Sequence, residues 1–526
     1  MQNSLRYMVQ LSCFGLIFVF ATDCSSHDGD NPGAILPDNG WKSFELITEN
    51  DSLADLVLGQ SYSPGNSSPS GTFFWNSSIH NHWDGLGAFQ TSANNLRVLI
   101  NHEGTDDATI TSIDVNMDNL QTWALDFPTG TAWPGPGQVV TGIGTAFSMI
   151  DVVTGGSGRD LNMAPLSRFC SGNVWQPDTF GPGRGFTDQL FLTGEEDLTT
   201  TGMGGSIWVM DTSTNVLYEA ADVAPAGGRW ENACIIDSGN TEQVALLLSS
   251  DGGTDQLYLY VGTKSTAADA NFLARNGLVG GQIFQFDPNG ATTQLPATGS
   301  LAGTFAINTP EPLVESKFED VHVNPNSPIQ AVVAVQTDGV YRLSFDLQFN
   351  ANGTLDTQSS SFVFSILNSA NNNDGLGNPD NVEWSTDGNI YVNEDGDGND
   401  VWLLDPQSGL ATRIADGLST ETSGIIDISF LVGFEPGSIL LTNSYDGNSA
   451  NGNNGSVYML VSPTANMLPK ILLGDVNLDG VVNLLDVTPF VDLISAGTFQ
   501  LEGDTNEDGV VNLLDVDAFV DILTAG

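Results

Sequence analysis

Between about Trp41 and Val461 one phrase recurs: an apolar strand, a polar loop, a glycine, then a second strand that carries an aromatic residue and usually closes on aspartate. Residues 189–193 lead to 205–211, with Trp208 and Asp211; 257–260 lead to 281–287, with Phe284 and Asp287; 331–335 lead to 339–346, with Tyr341 and Asp346. The phrase returns at 389–392 with 401–405 and at 438–441 with 455–458. Units of roughly 55–75 residues suit four-stranded blades with insertions better than the strands of a sandwich. An earlier unit at 95–100 brings the number to about six. The 59 glycines and the scarcity of amphipathic helix patterns argue the same way. The expected large domain, 41–461, is therefore all-β and an approximately six-bladed β-propeller, with an array of β-sandwiches as the alternative. In a propeller, loops from every blade meet at one end of a central channel, so residues far apart in sequence can build one site.

The last part of the chain carries one twelve-residue loop twice. Asp475, Asn477, Asp479, Asn483 and Asp486 stand at positions 1, 3, 5, 9 and 12 of the first copy, and Asp504, Asn506, Asp508, Asn512 and Asp515 at the same positions of the second. Gly480 and Gly509 take position 6. Calcium needs that arrangement, because it binds six to eight hard oxygens and the chain must turn sharply midway. Apolar residues at helical spacing follow each loop: Val487, Phe490, Val491 and Ile494, then Val516, Phe519, Val520 and Leu523. Thr488 and Pro489 read as a helix cap and a first-turn proline. No convincing helix precedes either loop, unlike an EF-hand pair. Residues 471–526 resemble the type I dockerin, and the resemblance implies a small helical calcium-binding module whose partner is a cohesin-type protein. Positions 10 and 11 are Leu484-Leu485 and Leu513-Leu514, where dockerins often carry polar residues that determine partner choice. Residues 462–470 have linker composition.

The balance of 13 Lys and Arg against 64 Asp and Glu, a formal net charge of −51, excludes nucleic acid and anionic membranes as natural partners. Arg6 and the apolar run from Met8 to Ala21 read as an export signal over 1–23, too short for a membrane span. Cys24 followed by two serines is a candidate lipoprotein anchor, although Asp23 departs from the small residue such sites prefer. Residues 24–40 read as a linker, and the expected location is secreted or cell-surface. Cys170 and Cys234 then remain, and either they pair or at least one serves another purpose.

Acids and amides cluster at the expected loop ends of the blades: 101–103, 168–172, 195–197, 228–232, 317–320 and 379–381. Paired Cys-x-x-Cys, His-Glu-x-x-His, the Gly-x-Ser-x-Gly elbow and the P-loop are all absent, which removes the common zinc, serine-hydrolase and nucleotide readings. In their order, from Asp84-Gly-Leu-Gly through Asn-His-Glu, Arg-Phe-Cys-Ser, Gly-Glu-Glu, Glu-Asp-Val and Pro-Asp-Asn, the segments resemble the PhoX-type alkaline phosphatase family. That resemblance implies a six-bladed propeller with iron and calcium ions at one end of its channel. It implies Cys170 as an iron ligand, and Glu103, Glu196, Glu319 and Asp380 as further metal ligands. A phosphate monoester is a dianion, so a carboxylate-lined pocket admits it only when multivalent cations outweigh the acids. The sequence departs from the family in two places. Lys317 stands where the family has an arginine, keeping the charge without the bidentate fork. Glu231 replaces the carboxylate of a His-Glu ending, given a shift of the backbone by a residue or two. The expected activity is a metal-dependent phosphatase with Lys317 and Glu319 at its centre. The alternatives are a calcium-dependent lactonase and a non-catalytic propeller that binds glycans or proteins.

Overall fold

The computed structural model describes residues 35–48, 61–62, 71–72, 83–104, 108–125, 139–159, 161, 165–196, 204–224, 228–251, 256–290, 292–315, 317–370, 374–395, 399–417, 421–445, 455–468, 472–478, 481–498, 500–506 and 510–525. The export signal 1–23, Cys24, Asp479, Gly480, Asp508 and Gly509 lie outside them. The chain divides into two compact units, Met1–Ala465 and Asn466–Gly526.

In the large unit, antiparallel four-stranded meanders succeed one another. Four are separate sheets of four or five strands, and two more share a nine-stranded sheet, stitched together by the strand Ser300–Ala306. Counting those two singly gives six blades. Their innermost strands are Trp83–Ser92, Phe169–Trp175, Trp230–Ile236, Phe318–Val323, Pro379–Trp384 and Glu421–Asp427. Each packs on the next in that order, and the sixth returns to the first, which makes a closed propeller ring. Closure is also made by hydrogen bonds. Blade six takes three strands from the C-terminal side and its outermost, Lys42–Thr48, from the start of the described chain, pairing Lys42 with Val461 and Thr48 with Ser456. The described end of the segment expected as a linker, 24–40, also joins a sheet: Leu36–Pro37 adds an outer strand to blade five.

The strands follow from the residues that compose them. Those near the axis have neighbours on both faces, so they read as continuous apolar runs instead of alternating. Gln243–Ser250, the second strand of blade three, and Phe318–Val323 are buried at every position. Trp83, Trp208, Trp230, Tyr260, Tyr341 and Tyr391 are the largest side chains fully buried between blades. The recurring phrase marks the second and third strands in blades two, four, five and six. In blade three it marks the third and fourth, Tyr258–Thr263 and Gln282–Asp287, because that hairpin carries the same apolar-glycine-aromatic-aspartate chemistry. Among the described residues of the large unit, the longest helix interrupts the strands. Met117–Leu125 buries Met117, Leu120 and Ala124, a stripe too short and too interrupted by Asp and Asn to stand out in sequence.

All six innermost strands share one irregularity. The register against the second strand shifts near its start: between Trp83 and Leu86, Phe169 and Gly172, Trp230 and Asn232, Phe318 and Val321, Pro379 and Val382, and Ser423 and Ile425. A bulge inserts an extra residue and re-aims the side chains beside it. Gly85 shows how tightly these bulges pack, since a Cβ there would overlap the Cys170 carbonyl oxygen of the next blade.

The C-terminal unit pairs two helices, Val487–Ala496 and Asp515–Ala525, whose Phe490 and Phe519 rings stack at 4.0 Å. The first helix starts at Val487 with Asp486 at the N-cap position, where its side chain makes no capping bond, so Thr488 and Pro489 lie in the first turn and Thr488 is not the cap. The two loops repeat each other bond for bond. Asp486 accepts from the Asn477 and Asn483 amides at 3.0 and 2.8 Å, and Asp515 from those of Asn506 and Asn512 at 3.1 and 2.8 Å. Asp475, Asp486, Asp504 and Asp515 are buried, while Leu484, Leu485, Leu513 and Leu514 are all exposed. Among the described residues no helix is long and apolar enough to cross a membrane.

Candidate metal centre

The bulges set one position of each blade toward the channel mouth. In blades one to five it is the second residue of the innermost strand: Asp84, Cys170, Glu231, Glu319 and Asp380. Each follows a ring, namely Trp83, Phe169, Trp230, Phe318 or Pro379, and all five rings are buried. In blade six Glu421 opens the strand. A second set comes from the residue just past each second strand: Glu103, Glu196, Asp251, Gln336 and Asp395. These ends are tied down by one repeated bond. The amides of Glu196, Asp251, Gln336 and Asp395 donate to the carbonyls of Arg168, Arg229, Lys317 and Asn378 at 2.9, 2.9, 3.3 and 3.1 Å. Those four acceptors are the residues that immediately precede the rings.

Cys170 lies at the centre of the acids. Its Sγ is 3.4 Å from Glu103 Oε1 and 3.3 Å from Glu196 Oε2. Ligand atoms of Asp84, Glu103 and Cys170 fall within 4.8 Å of one another, and so do those of Cys170, Glu196 and Glu231. Cys170 and Cys234 are both free thiols, so they do not pair. Glu231 accepts from the Ser171 hydroxyl at 2.7 Å, beside the bulge between Trp230 and Asn232. Lys317 contacts Glu319 at 3.0 Å and Asp251 at 3.2 Å.

Burial and mutual repulsion push these acids toward their protonated forms. Burial, then Asp251, moves Glu231 up to about 7; burial, then Glu103, moves Glu196 up to about 9 and Glu421 up to about 8. Burial and then Glu231 raise Asp84, Glu319 and the Cys170 thiol well above their ordinary values, and burial and then Glu319 raise Asp380. Two cations answer them. Burial works against the charge of Arg168, but Glu103, Cys170 and Glu196 outweigh it. Glu319 and Asp251 do the same for Lys317. Two monovalent cations cannot neutralise so many carboxylates, and Asp84 Oδ1 is buried with no hydrogen-bond partner among the described residues. The donor set fits metal ions: carboxylates suit a hard cation such as calcium, and a thiolate among carboxylates suits a transition metal.

Arg168 is held in a conformation that costs energy. Its φ is 50°, in the left-handed region that a residue with a Cβ rarely adopts. From there its Nε reaches Glu196 at 2.8 Å and its guanidinium forks onto Glu103. The brace behind it is a buried ion pair. Arg159 binds Glu195 through both terminal nitrogens at 2.7 Å, and Glu195 also accepts from the Ser167 amide at 3.1 Å and Trp208 Nε1 at 3.1 Å. Glu195 and Ser167 adjoin Glu196 and Arg168, so this pair fixes both sides of that contact. Deeper in the channel Asp320 accepts from the amides of Val321 and Val382 and from Asn232, linking blades three, four and five. Beside it lies a void of about 10 Å³ lined by residues including Asn173, Asp320, His322 and Glu383, too small for a substrate.

Glu103, Cys170, Glu196, Glu231, Glu319, Asp380 and Lys317 thus lie around one end of the ring. Four of them do not stand in loops before the strands, however. Cys170, Glu231, Glu319 and Asp380 are strand residues beside bulges, a position that periodicity alone cannot mark. Sequence reasoning did not assign Asp84, Asp251 or Glu421. The ring-then-acid dipeptide shared by Trp83-Asp84 and Trp230-Glu231 was the signal for the first.

No protein-family profile matches the chain, and no curated protein matches it. Among solved structures the fold is similar to that of Pseudomonas fluorescens PhoX in complex with vanadate, a transition-state analogue. The TM-score is 0.52 at 13% identity, covering 82% of this chain and 96% of that one. The α-L-arabinanase of Penicillium chrysogenum complexed with arabinobiose matches at a TM-score of 0.35 and 11% identity, over 77% of this chain and 97% of that one. The GH62 α-L-arabinofuranosidase catalytic domain of Coprinopsis cinerea matches at 0.27 and 10%, over 78% and 99%. The first supports a propeller fold; the other two carry no argument about this site.

Proposed function

We propose that this protein is an exported, metal-dependent phosphatase that hydrolyses phosphomonoesters at the channel mouth. The observation that carries the reading is the excess of buried acids over cations around Cys170, with ligand atoms in two groups each within 4.8 Å. Asp84, Glu103, Cys170, Glu196, Glu231, Glu319, Asp380 and Glu421 would hold calcium and iron ions. When bound, such ions supply positive charge for the dianionic ester and Lewis acidity toward its oxygens.

The chain's own residues do the rest. The ester enters from the side of the channel where the acids lie. Arg168 and Lys317 bring fixed positive charge to the mouth, where charge develops on the transferring group. Ser171 holds Glu231 through its hydroxyl, and the Arg159–Glu195 pair keeps Glu196 and Arg168 in place. The paired loops of residues 466–526 bind calcium and act as a docking module for a cohesin-type partner.

Purified protein is expected to release phosphate from an aryl phosphate at alkaline pH, and to lose that activity with a chelator. Cys170→Ser and Glu319→Gln should each lower turnover by at least about 100-fold. Unchanged turnover in both variants would sink the assignment. Elemental analysis separates it from the lactonase alternative: iron at stoichiometric level favours the phosphatase, calcium alone the lactonase.

A further inference from the structure

The bulges of four blades are joined by one chain of hydrogen bonds across the channel. It begins at Gly424 in blade six, whose φ of 57° and closeness to the Asp84 carbonyl oxygen of blade one leave no room for a Cβ. The Gly424 amide donates to Asn381 Oδ1 of blade five at 2.7 Å. Asn381 Nδ2 donates to Ser171 Oγ of blade two at 2.8 Å, and the Ser171 hydroxyl donates to Glu231 Oε1 of blade three at 2.7 Å. Asn381, Ser171 and Glu231 are all buried.

The first bond sets the direction of the others. A backbone N–H can only donate, so the Asn381 atom facing Gly424 is its oxygen. The other end of that amide is then the NH2, which can only donate, so Ser171 Oγ accepts there. A hydroxyl has one proton, and this one is directed away from Asn381. Asp320 also neighbours Ser171, but it already accepts from the amides of Val321 and Val382 and from Asn232. The proton therefore goes to Glu231, whose same oxygen also takes the Ser171 amide at 3.3 Å. Two donors on one oxygen fix how the carboxylate is turned. Glu231 stands with Cys170 and Glu196 in one of the two close groups of ligand atoms.

We propose that Asn381 is a positioning residue for the metal layer: acting through Ser171, it fixes the carboxylate of Glu231 for an ion bound beside Cys170. The inference rests on the proposed metal reading and deepens it. How blade three presents its ligand is decided by Gly424, Asn381 and Ser171, in blades six, five and two.

The test titrates the full, metal-stripped chain with cobalt(II) and follows thiolate-to-cobalt charge-transfer absorption. The C-terminal loops contain no cysteine and Cys234 lies in the apolar core, so the band reports on Cys170, with Cys170→Ser as the blank. Ser171→Ala and Asn381→Leu should each weaken cobalt binding by about tenfold to 100-fold, while Ser171→Thr, which keeps the hydroxyl, should bind nearly as the wild type does. In the Ser171→Ala background the link is already broken, so Asn381→Leu should cost no more than about a further twofold. A merely structural asparagine would cost as much there as in the wild type. Should Asn381→Leu fail to fold, the smaller Asn381→Ala takes its place in the same cycle. Unchanged affinity in Ser171→Ala, or an equal effect of the Asn381 variant in both backgrounds, would overturn the inference and leave the metal reading standing. A wild type that shows no band ends the metal reading, and the inference with it.

Discussion

Two regions of this molecule gather oxygen ligands, and they do so in opposite ways. In the C-terminal unit each ligand set is a single run of twelve residues, closed by Asp486 or Asp515 across its own loop. In the propeller the set is drawn from all six blades, so its members are set by strand register and by blade contacts. On the proposed calcium reading, the local set needs its cation to hold a short segment in shape. The dispersed set depends on a large apolar scaffold, and the acids are forced together whether or not a cation is present. One region should therefore lose its fold without metal, and the other should keep its fold and carry unrelieved repulsion.

The largest expected effect is in the small unit. Chelating calcium from the full chain should abolish the helices at Val487–Ala496 and Asp515–Ala525 and expose 466–526 to protease, while the blades survive. Intact helices in chelator would break the comparison. The next effect concerns the blades. With metals removed, Glu231, Glu421 and Glu196 titrate near 7, 8 and 9 when folded and near 4.5 when unfolded, so the folded chain keeps protons that the unfolded chain releases. Stability should be greatest below about pH 4.5 and fall as pH rises toward 9. Urea midpoints across that range should show the slope, calcium should flatten it, and Glu196→Gln should lessen it.

A third effect tests the scaffold behind the acids. Arg159→Met leaves Glu195 buried without its partner and should cost about 3–5 kcal/mol in urea unfolding. A loss below 1 kcal/mol would mean that this pair is not the brace described. The smallest effect belongs to Asp251→Asn, which removes one of two partners of the half-exposed Lys317. It should shift stability by about 1 kcal/mol or less, and a larger change would place Asp251 deeper in the acid layer than its contact with Lys317 indicates.

The same contrast explains what could be read in advance. The twelve-residue loops are local, so their repeated oxygen residues and the helices after them stand out in order, and the N-cap position falls at Asp486, not Thr488. The blades were legible through their repeated hairpins, apart from blade three, where an equivalent hairpin shifted the phrase by one strand. Cys170, Glu196 and Glu319 were recognisable from their ordered motifs. Their places in strands were not, because a bulge is defined by two strands at once. Asp84 and Glu421 stayed hidden for a related reason: each has its meaning only beside neighbours in other blades, and Arg159 stands 36 residues from the Glu195 it braces.

The strand Lys42–Thr48 also governs when the centre comes into being. Blade six is unfinished until residues 455–461 have emerged and found a partner more than 400 residues earlier in the chain, at Glu45 and Ser456 for example. Until then Glu421 has no fixed place beside Asp84, and the ring lies open between its last blade and its first. Joining the two ends of the chain is a slow, non-local event. On the proposed metal reading, ions bridging the full mouth would have to wait for it, and the acids of blades one and six would meet only after the last strand has been synthesised.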